Sequence, residues 1–255
     1  MDNFKIGYKF TTLQGYEVKI VDIINSQRCV VEYENGFQLV GVEKKIIENR
    51  NVKYPFHPTV FGIGFIGVGK HNSTISTYVG TQKYTELNPA YKVWQAMLSR
   101  CYCPKTKMRK LNNRNATVHP KWLNYQNFAR WFNENYIEGF EISKDFLIPN
   151  STEFSEDTCC FLPSELRNSL MNLNNKNMVF MGVRPSGKKF NATCTTDNKR
   201  NYLGTFDTPE EAFLEFKKAK EERIRTLANI WEKFLPKKTY NALMNFKVID
   251  YREIK

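Results

Sequence analysis

The sequence predicts an α+β chain of several small domains: β-structure first, a helical middle, then a three-stranded antiparallel sheet backed by one helix. Three observations predict it. β-Branched runs broken by turn residues fill the first sixty positions, and two apolar stripes at helical spacing follow. Near the end, short strands alternate apolar with polar residues before an amphipathic helix. The 255 residues suit one large or two to three small domains.

Residues 16–25, 28–33 and 37–42 are the first strands. Ser26-Gln27 and Glu34-Asn35-Gly36 separate them, the second a hairpin signal. A small curled β-barrel of SH3-like size is expected over residues 1–58. Residues 59–88, rich in Gly, Ser and Thr, read as a linker with one strand. Asn88-Pro89 is an N-cap and first-turn pair, after which Ala90, Trp94, Met97 and Cys101 share a face. A basic loop over 104–117 precedes a second stripe, Trp122, Tyr125, Ala129, Phe132 and Tyr136. Then come a strand (141–148), a loop, a strand (158–162) and a helix from Pro163. This β–loop–β–α order closes a central domain, 89–178. It is the skeleton of a ββα-metal nuclease site and also a common local topology.

Residues 179–228 form the sheet-and-helix domain. Phe190, Ala192 and Cys194 point one way; Lys189, Asn191, Thr193 and Thr195 point the other. Leu203 joins the apolar side, Arg200 and Tyr202 the polar side. Thr208-Pro209-Glu210-Glu211 is a capping box, and the helix after it buries Ala212, Phe216, Ala219 and Leu227. The polar sheet face is left free. It carries Arg184, Lys189, Thr193, Thr195, Arg200 and Tyr202, flanked by Lys188 and Lys199. A face of this kind fits the DNA major groove, which admits strands as well as a helix. The tail, 229–255, reads as helical around 240–246, with no task assigned.

Lys plus Arg total 38 against 26 Asp plus Glu, a net charge of +12 that favours a polyanionic partner. From Leu87 to Asn133 there is no acidic residue and nine basic ones. That stretch reads either as a solvated face or as a phosphate-contacting surface. Arg100, Lys105, Lys107, Arg109, Lys110 and Arg114 are its candidate DNA contacts. No apolar run approaches membrane-spanning length, and Met-Asp-Asn-Phe-Lys lacks the apolar core of a signal peptide. Six cysteines at low density suit a reducing cytoplasm. Neither a membrane partner nor a small-molecule cofactor is expected, and oligomeric state is not readable.

Two motifs carry less than they promise. Gly64-Phe-Ile-Gly-Val-Gly69-Lys70 approaches a phosphate-cradling loop, but His71 replaces the metal-binding hydroxyl and Asn-Ser-Thr-Ile-Ser-Thr is no helix former. Cys101-x-Cys103 and Cys159-Cys160 lack zinc-knuckle spacing, so no zinc is expected. His57, His71 and His119 suggest no nucleophilic triad.

Residues 179–228 resemble an AP2/ERF DNA-binding domain. The carriers are Gly182-Val183-Arg184, Gly187-Lys188, Ala192, Leu203-Gly204-Thr205-Phe206-Asp207-Thr208 and Glu210-Glu211-Ala212. The resemblance implies groove contacts by Arg184, Thr193, Thr195, Arg200 and Tyr202. The middle resembles the HNH-like (His-Me finger) endonucleases of bacteriophages, many of which carry a C-terminal AP2 module. There the carriers are Tyr91-x-x-Trp94-x-x-Met97-x-x-Arg100-Cys101-Tyr102, Val118-x-x-x-Trp122-x-x-Tyr125-x-x-Phe128-x-x-Trp131, Lys144-Asp145-Phe146-Leu147 and Thr158-Cys159-Cys160-Phe161-Leu162-Pro163.

That second resemblance implies a Mg²⁺- or Mn²⁺-dependent site hydrolysing phosphodiesters, in a protein of the bacterial host cytoplasm. Lys144, Asp145, Asn150 and Asn168 are its candidate catalytic residues and Asp145 its metal ligand. Three positions depart from the related pattern: Ser143 replaces a carboxylate, Ser151 follows Asn150 where Gly-Asn is usual, and Arg167 replaces an asparagine. A nuclease-derived regulator or repressor without catalysis is therefore the alternative. An RNA-binding protein is a third class, weakened because the sheet face lacks paired stacking aromatics.

Overall fold

The computed structural model describes residues 4–105, 115–144, 146–148, 151–171, 180–196 and 199–248. They build an α+β chain of several small sheets and helices. It divides into two units, Met1–Cys103 with Pro120–Ala129, and Pro104–His119 with Arg130–Lys255.

In the first unit, β1 (Lys9–Thr11), β2 (Glu17–Asn25), β3 (Arg28–Tyr33) and β4 (Gln38–Glu43) form an antiparallel meander in chain order. Alternation sends Val18, Ile20, Cys29, Val31 and Val42 to one buried side, completed by Ile47 of α1 (Lys44–Glu48) and by Val52. Register shifts within β2–β3 and β3–β4 add curl. The sheet is nevertheless not the closed barrel that the sequence predicts. β1 is three residues long and pairs with β2 alone among the described residues. Among the described residues the returning chain meets its end through one backbone hydrogen bond, Leu13 N–H to the Arg50 carbonyl at 2.9 Å, too short a ladder to close.

Where the sequence predicts one connecting strand, the chain forms two, β5 (Thr74–Val79) and β6 (Gln82–Leu87), in an antiparallel ribbon. Helix α2 (Pro89–Tyr102) begins as predicted, the Asn88 Oδ1 accepting the Ala90 N–H at 2.9 Å. It buries Ala90, Trp94, Met97, Leu98 and Cys101. The second apolar stripe is split into α3 (Pro120–Leu123) and α4 (Tyr125–Asn135), the latter continuing into the second unit. The split has a tertiary cause. Phe65 exchanges backbone hydrogen bonds with Leu123 (3.0 Å) and Tyr125 (2.9 Å), and Asn124 caps the new helix by accepting the Gln126 N–H at 3.0 Å.

The second unit opens with β7 (Thr117–Val118), parallel to β9 (Glu153–Phe154). Strand β8 (Glu141–Ser143) pairs antiparallel with β10 (Cys160–Leu162), and α5 (Ser164–Met171) follows. The predicted 141–148 strand stops at Ser143 because β10 offers three partners only. Trp131, Phe132 and Tyr136 gather round Phe161, with ring centroids 5.2–5.4 Å away. Last come β11 (Val183–Ser186), β12 (Lys189–Thr196) and β13 (Lys199–Phe206), antiparallel in that order. Helices α6 (Pro209–Ile230) and α7 (Lys237–Met244) complete the unit. No described helix is long and apolar enough to cross a membrane.

Candidate nucleic-acid interface

The C-terminal sheet has one dry face and, among the described residues, one uncovered face, and the packing of α6 decides which is which. Thr208 caps α6 by accepting the Glu211 N–H, and the Glu211 carboxylate accepts the Thr208 N–H in return, both at 3.2 Å. The helix then lays Ala212, Phe213 and Phe216 on Val183, Ala192 and Cys194. Gly182 makes this approach possible: its φ is 73°, and a Cβ there would overlap the Phe216 ring. Phe180 and Met181 close the core at its near edge.

The opposite face is set by register. Arg184 lies across from Asn191, and Asn191 across from Thr205; Thr193 faces Tyr202, and Thr195 faces Arg200. Three strands at the usual spacing make a face about 10 Å across, against a major groove of about 12 Å. Its cations sit towards the rim. Arg184 is on the edge strand, Lys188 in the β11–β12 turn, and Lys199 and Arg200 at the start of β13; all four are exposed. None of the four forms an ion pair among the described residues. Lys189 differs. Its ammonium lies 2.9 Å from Asp207, whose hydrogen bond and charge hold the lysine above its ordinary pKa; the lysine stays charged, and the carboxylate beside it offsets that charge. Thr195 is exposed, and the half-buried Thr193 hydroxyl donates to the Gly182 carbonyl at 3.4 Å.

The centre is neutral and linked. Tyr202, 62% exposed, shares a short hydrogen bond with Thr205, and the Thr205 hydroxyl donates to Asn191 Oδ1 at 2.6 Å. Thr205 is a face residue that simple alternation misses, because alternation from Leu203 sends it to the core. β13 carries one extra residue at the register shift opposite Ala192 and Thr193, so Leu203 and Phe206 both turn inward while Tyr202 and Thr205 both turn outward. Gly204, with φ 148° inside a strand, was the available signal. Rim cations with central hydroxyl and amide groups can divide the work of a duplex interface: charges to phosphates, neutral donors and acceptors to base edges.

The β8–β10–α5 segment carries the other candidate residues. Lys144 is half-buried; its ammonium donates to the Ser151 carbonyl at 2.8 Å and lies 5.3 Å from the Phe154 ring centre. Ser143 is buried. Arg167 turns back to Glu141, guanidinium to carboxylate at 2.7 Å, and Asn168 is exposed beside it. Asp145 and Asn150 lie outside the described residues. Among the described residues no three His, Cys, Asp or Glu side chains converge as a metal site. Of the described candidates, Ser143, Lys144 and Arg167 bring a hydroxyl, an ammonium and a guanidinium, and Asn168 brings the carbonyl oxygen that a hard divalent cation takes.

Of the basic stretch, Arg100 is half-buried on the last turn of α2 and Lys105 is exposed, while Lys107, Arg109, Lys110 and Arg114 lie outside the described residues. The near-phosphate loop is a packing device. A Cβ on Gly64 would overlap Leu98, and one on Gly69 would overlap Gln126. The Gln126 amide accepts the His71 N–H at 3.0 Å and donates to the Ile66 and His71 carbonyls at 3.3 and 3.0 Å. Comparison of the chain with protein-family models, curated proteins and solved structures finds no match.

Proposed function

We propose that this chain is a sequence-specific double-stranded DNA-binding protein, related to phage HNH-like endonucleases with an AP2-type C-terminal domain. One observation carries the reading: an exposed three-stranded face whose rim cations form no ion pair among the described residues, with a neutral hydrogen-bonding chain at its centre. In this reading Arg184 and Arg200 contact phosphates or guanine edges, and the Asn191–Thr205–Tyr202 chain meets neutral base atoms. Replacing either arginine by alanine weakens binding to a selected duplex more than Lys107→Ala does. The Lys107 change lowers mainly the salt dependence. Equal losses for all three in a fluorescence titration would remove the sheet as the reader.

For the fate of the DNA, the favoured role is occupancy and regulation without cleavage. Its support is the engagement of Arg167 with Glu141 and of Lys144 with Ser151 and Phe154. Metal-dependent nicking is the second reading, resting on the β8–β10–α5 order and the Lys144-Asp145 pair. Incubation with supercoiled duplex in Mg²⁺, Mn²⁺ or EDTA decides between them. Nicks that need metal and disappear in Asp145→Ala establish the enzyme; tight binding with intact DNA establishes the regulator.

A further inference from the structure

Among the described residues nothing covers the β5–β6 ribbon: all twelve residues of its strands are exposed. Tyr78 and Val79, near its tip, are 67% and 69% exposed. A lone two-stranded ribbon is marginal in water, and its outer edges present backbone groups that a partner can pair with. Gly80 takes φ 61° at the first position of the two-residue turn, which suits the twist of a tight hairpin. The ladder runs from Thr74↔Leu87 to Val79↔Gln82 without a bulge.

Its register separates two faces. Thr74, Ser76, Tyr78, Lys83, Thr85 and Leu87 share one; the opposite face holds Ile75, Thr77, Val79, Gln82, Tyr84 and Glu86. The first presents four hydroxyls and an ammonium, with Ser76 and Thr85 hydrogen-bonded across the strands at 3.3 Å. The second holds the acid. Glu86 is the one acidic residue between Asn49 and Asn133, and it sits 3.9 Å from Lys92 at the foot of the ribbon. Lys83 makes no ion pair among the described residues. The ribbon therefore rises from a segment whose charge complements a polyanion, and its hydroxyl–lysine face is the side free of negative charge.

We infer that this ribbon is a second DNA-contacting element, distinct from the C-terminal sheet, which places its Ser76–Tyr78–Lys83–Thr85 face against a duplex groove. The inference rests on the DNA-binding reading. Six residues per strand span about 20 Å, the rise of about six base pairs, and a two-stranded ribbon fits the major groove.

The experiment is a titration of the full chain against a fluorescein-labelled duplex of mixed sequence over a range of salt, alongside sedimentation velocity. Circular dichroism serves as the check on folding. Lys83→Ala lowers the slope of log affinity against log salt by about one unit, and Lys83→Arg restores it. Tyr78→Ala weakens binding, whereas Ile75→Ala and Val79→Ala on the other face change neither quantity. If Lys83→Ala and Tyr78→Ala match the wild type while Arg184→Ala and Arg200→Ala lose binding, the ribbon assignment is overturned and the sheet reading stands. If the wild type binds no duplex, both readings fall. If the ribbon changes convert a dimer into monomers and leave the salt slope intact, the occupant is a second copy of the chain paired along the uncharged edge of β5, and the DNA assignment is overturned.

Discussion

Gly182 and Lys220 show how single residues set the terms for the C-terminal unit. Gly182→Ala forces a left-handed φ on a residue with a Cβ and drives that atom into Phe216. The expected cost is about 2–3 kcal/mol, read as a lower urea midpoint. Lys220 is 3% exposed on α6. Burial pushes its ammonium below the ordinary lysine value of 10.5; Cys194 opposes the shift, and the nearby Arg223 charge adds a smaller push downward. The folded chain thus releases this proton at lower pH than the unfolded chain. Stability is flat below the depressed value and rises from there towards 10.5, because in that window the unfolded state binds more protons. Lys220→Met abolishes the rise and adds about 1 kcal/mol at neutral pH, measurable by urea unfolding across the alkaline range. Neither effect is legible from composition. A glycine before Val-Arg signals a turn, but its collision partner sits 34 positions later in the sequence.

At the scale of the element, the short-range signals were the readable ones. The Asn88 cap, the Thr208–Glu211 box and the alternation of β12 are rules spanning two to four residues, and each element forms where its rule places it. Thr208→Ala removes one reciprocal pair at the start of α6. The expected loss is about 1 kcal/mol, seen as a lower melting temperature. Elements that depend on a distant partner were misread. The stripe from Trp122 to Tyr136 is unbroken on a helical wheel, yet Phe65 cuts it at Asn124. The strand from Glu141 ends after three residues because β10 is short. The extra residue in β13 likewise moved Thr205 to the outer face, where it links Tyr202 to Asn191.

At the scale of the whole molecule, the tail as far as Val248 belongs to the C-terminal core. Val248 and Phe246 pack in the same cluster as Ala192 and Phe216. Buried Glu221 holds them there: one oxygen accepts the Val248 N–H at 3.0 Å and the other meets Lys247 at 3.3 Å. Glu221→Ala leaves that N–H without its acceptor. An expected loss of about 2 kcal/mol accompanies faster tryptic cleavage after Lys247, visible by mass spectrometry. The amino-acid sequence by itself determined the α+β class, the basic balance, the helix starts and the polar side of β12, because these follow from local propensity and two-residue periodicity. Only the tertiary structure decided that the first sheet stays open, that residues 74–87 pair into an exposed ribbon, and that Arg167 is engaged by Glu141. It also decided that the tail closes the C-terminal core. Each of these depends on which distant groups meet, and no short stretch of chain encodes a meeting.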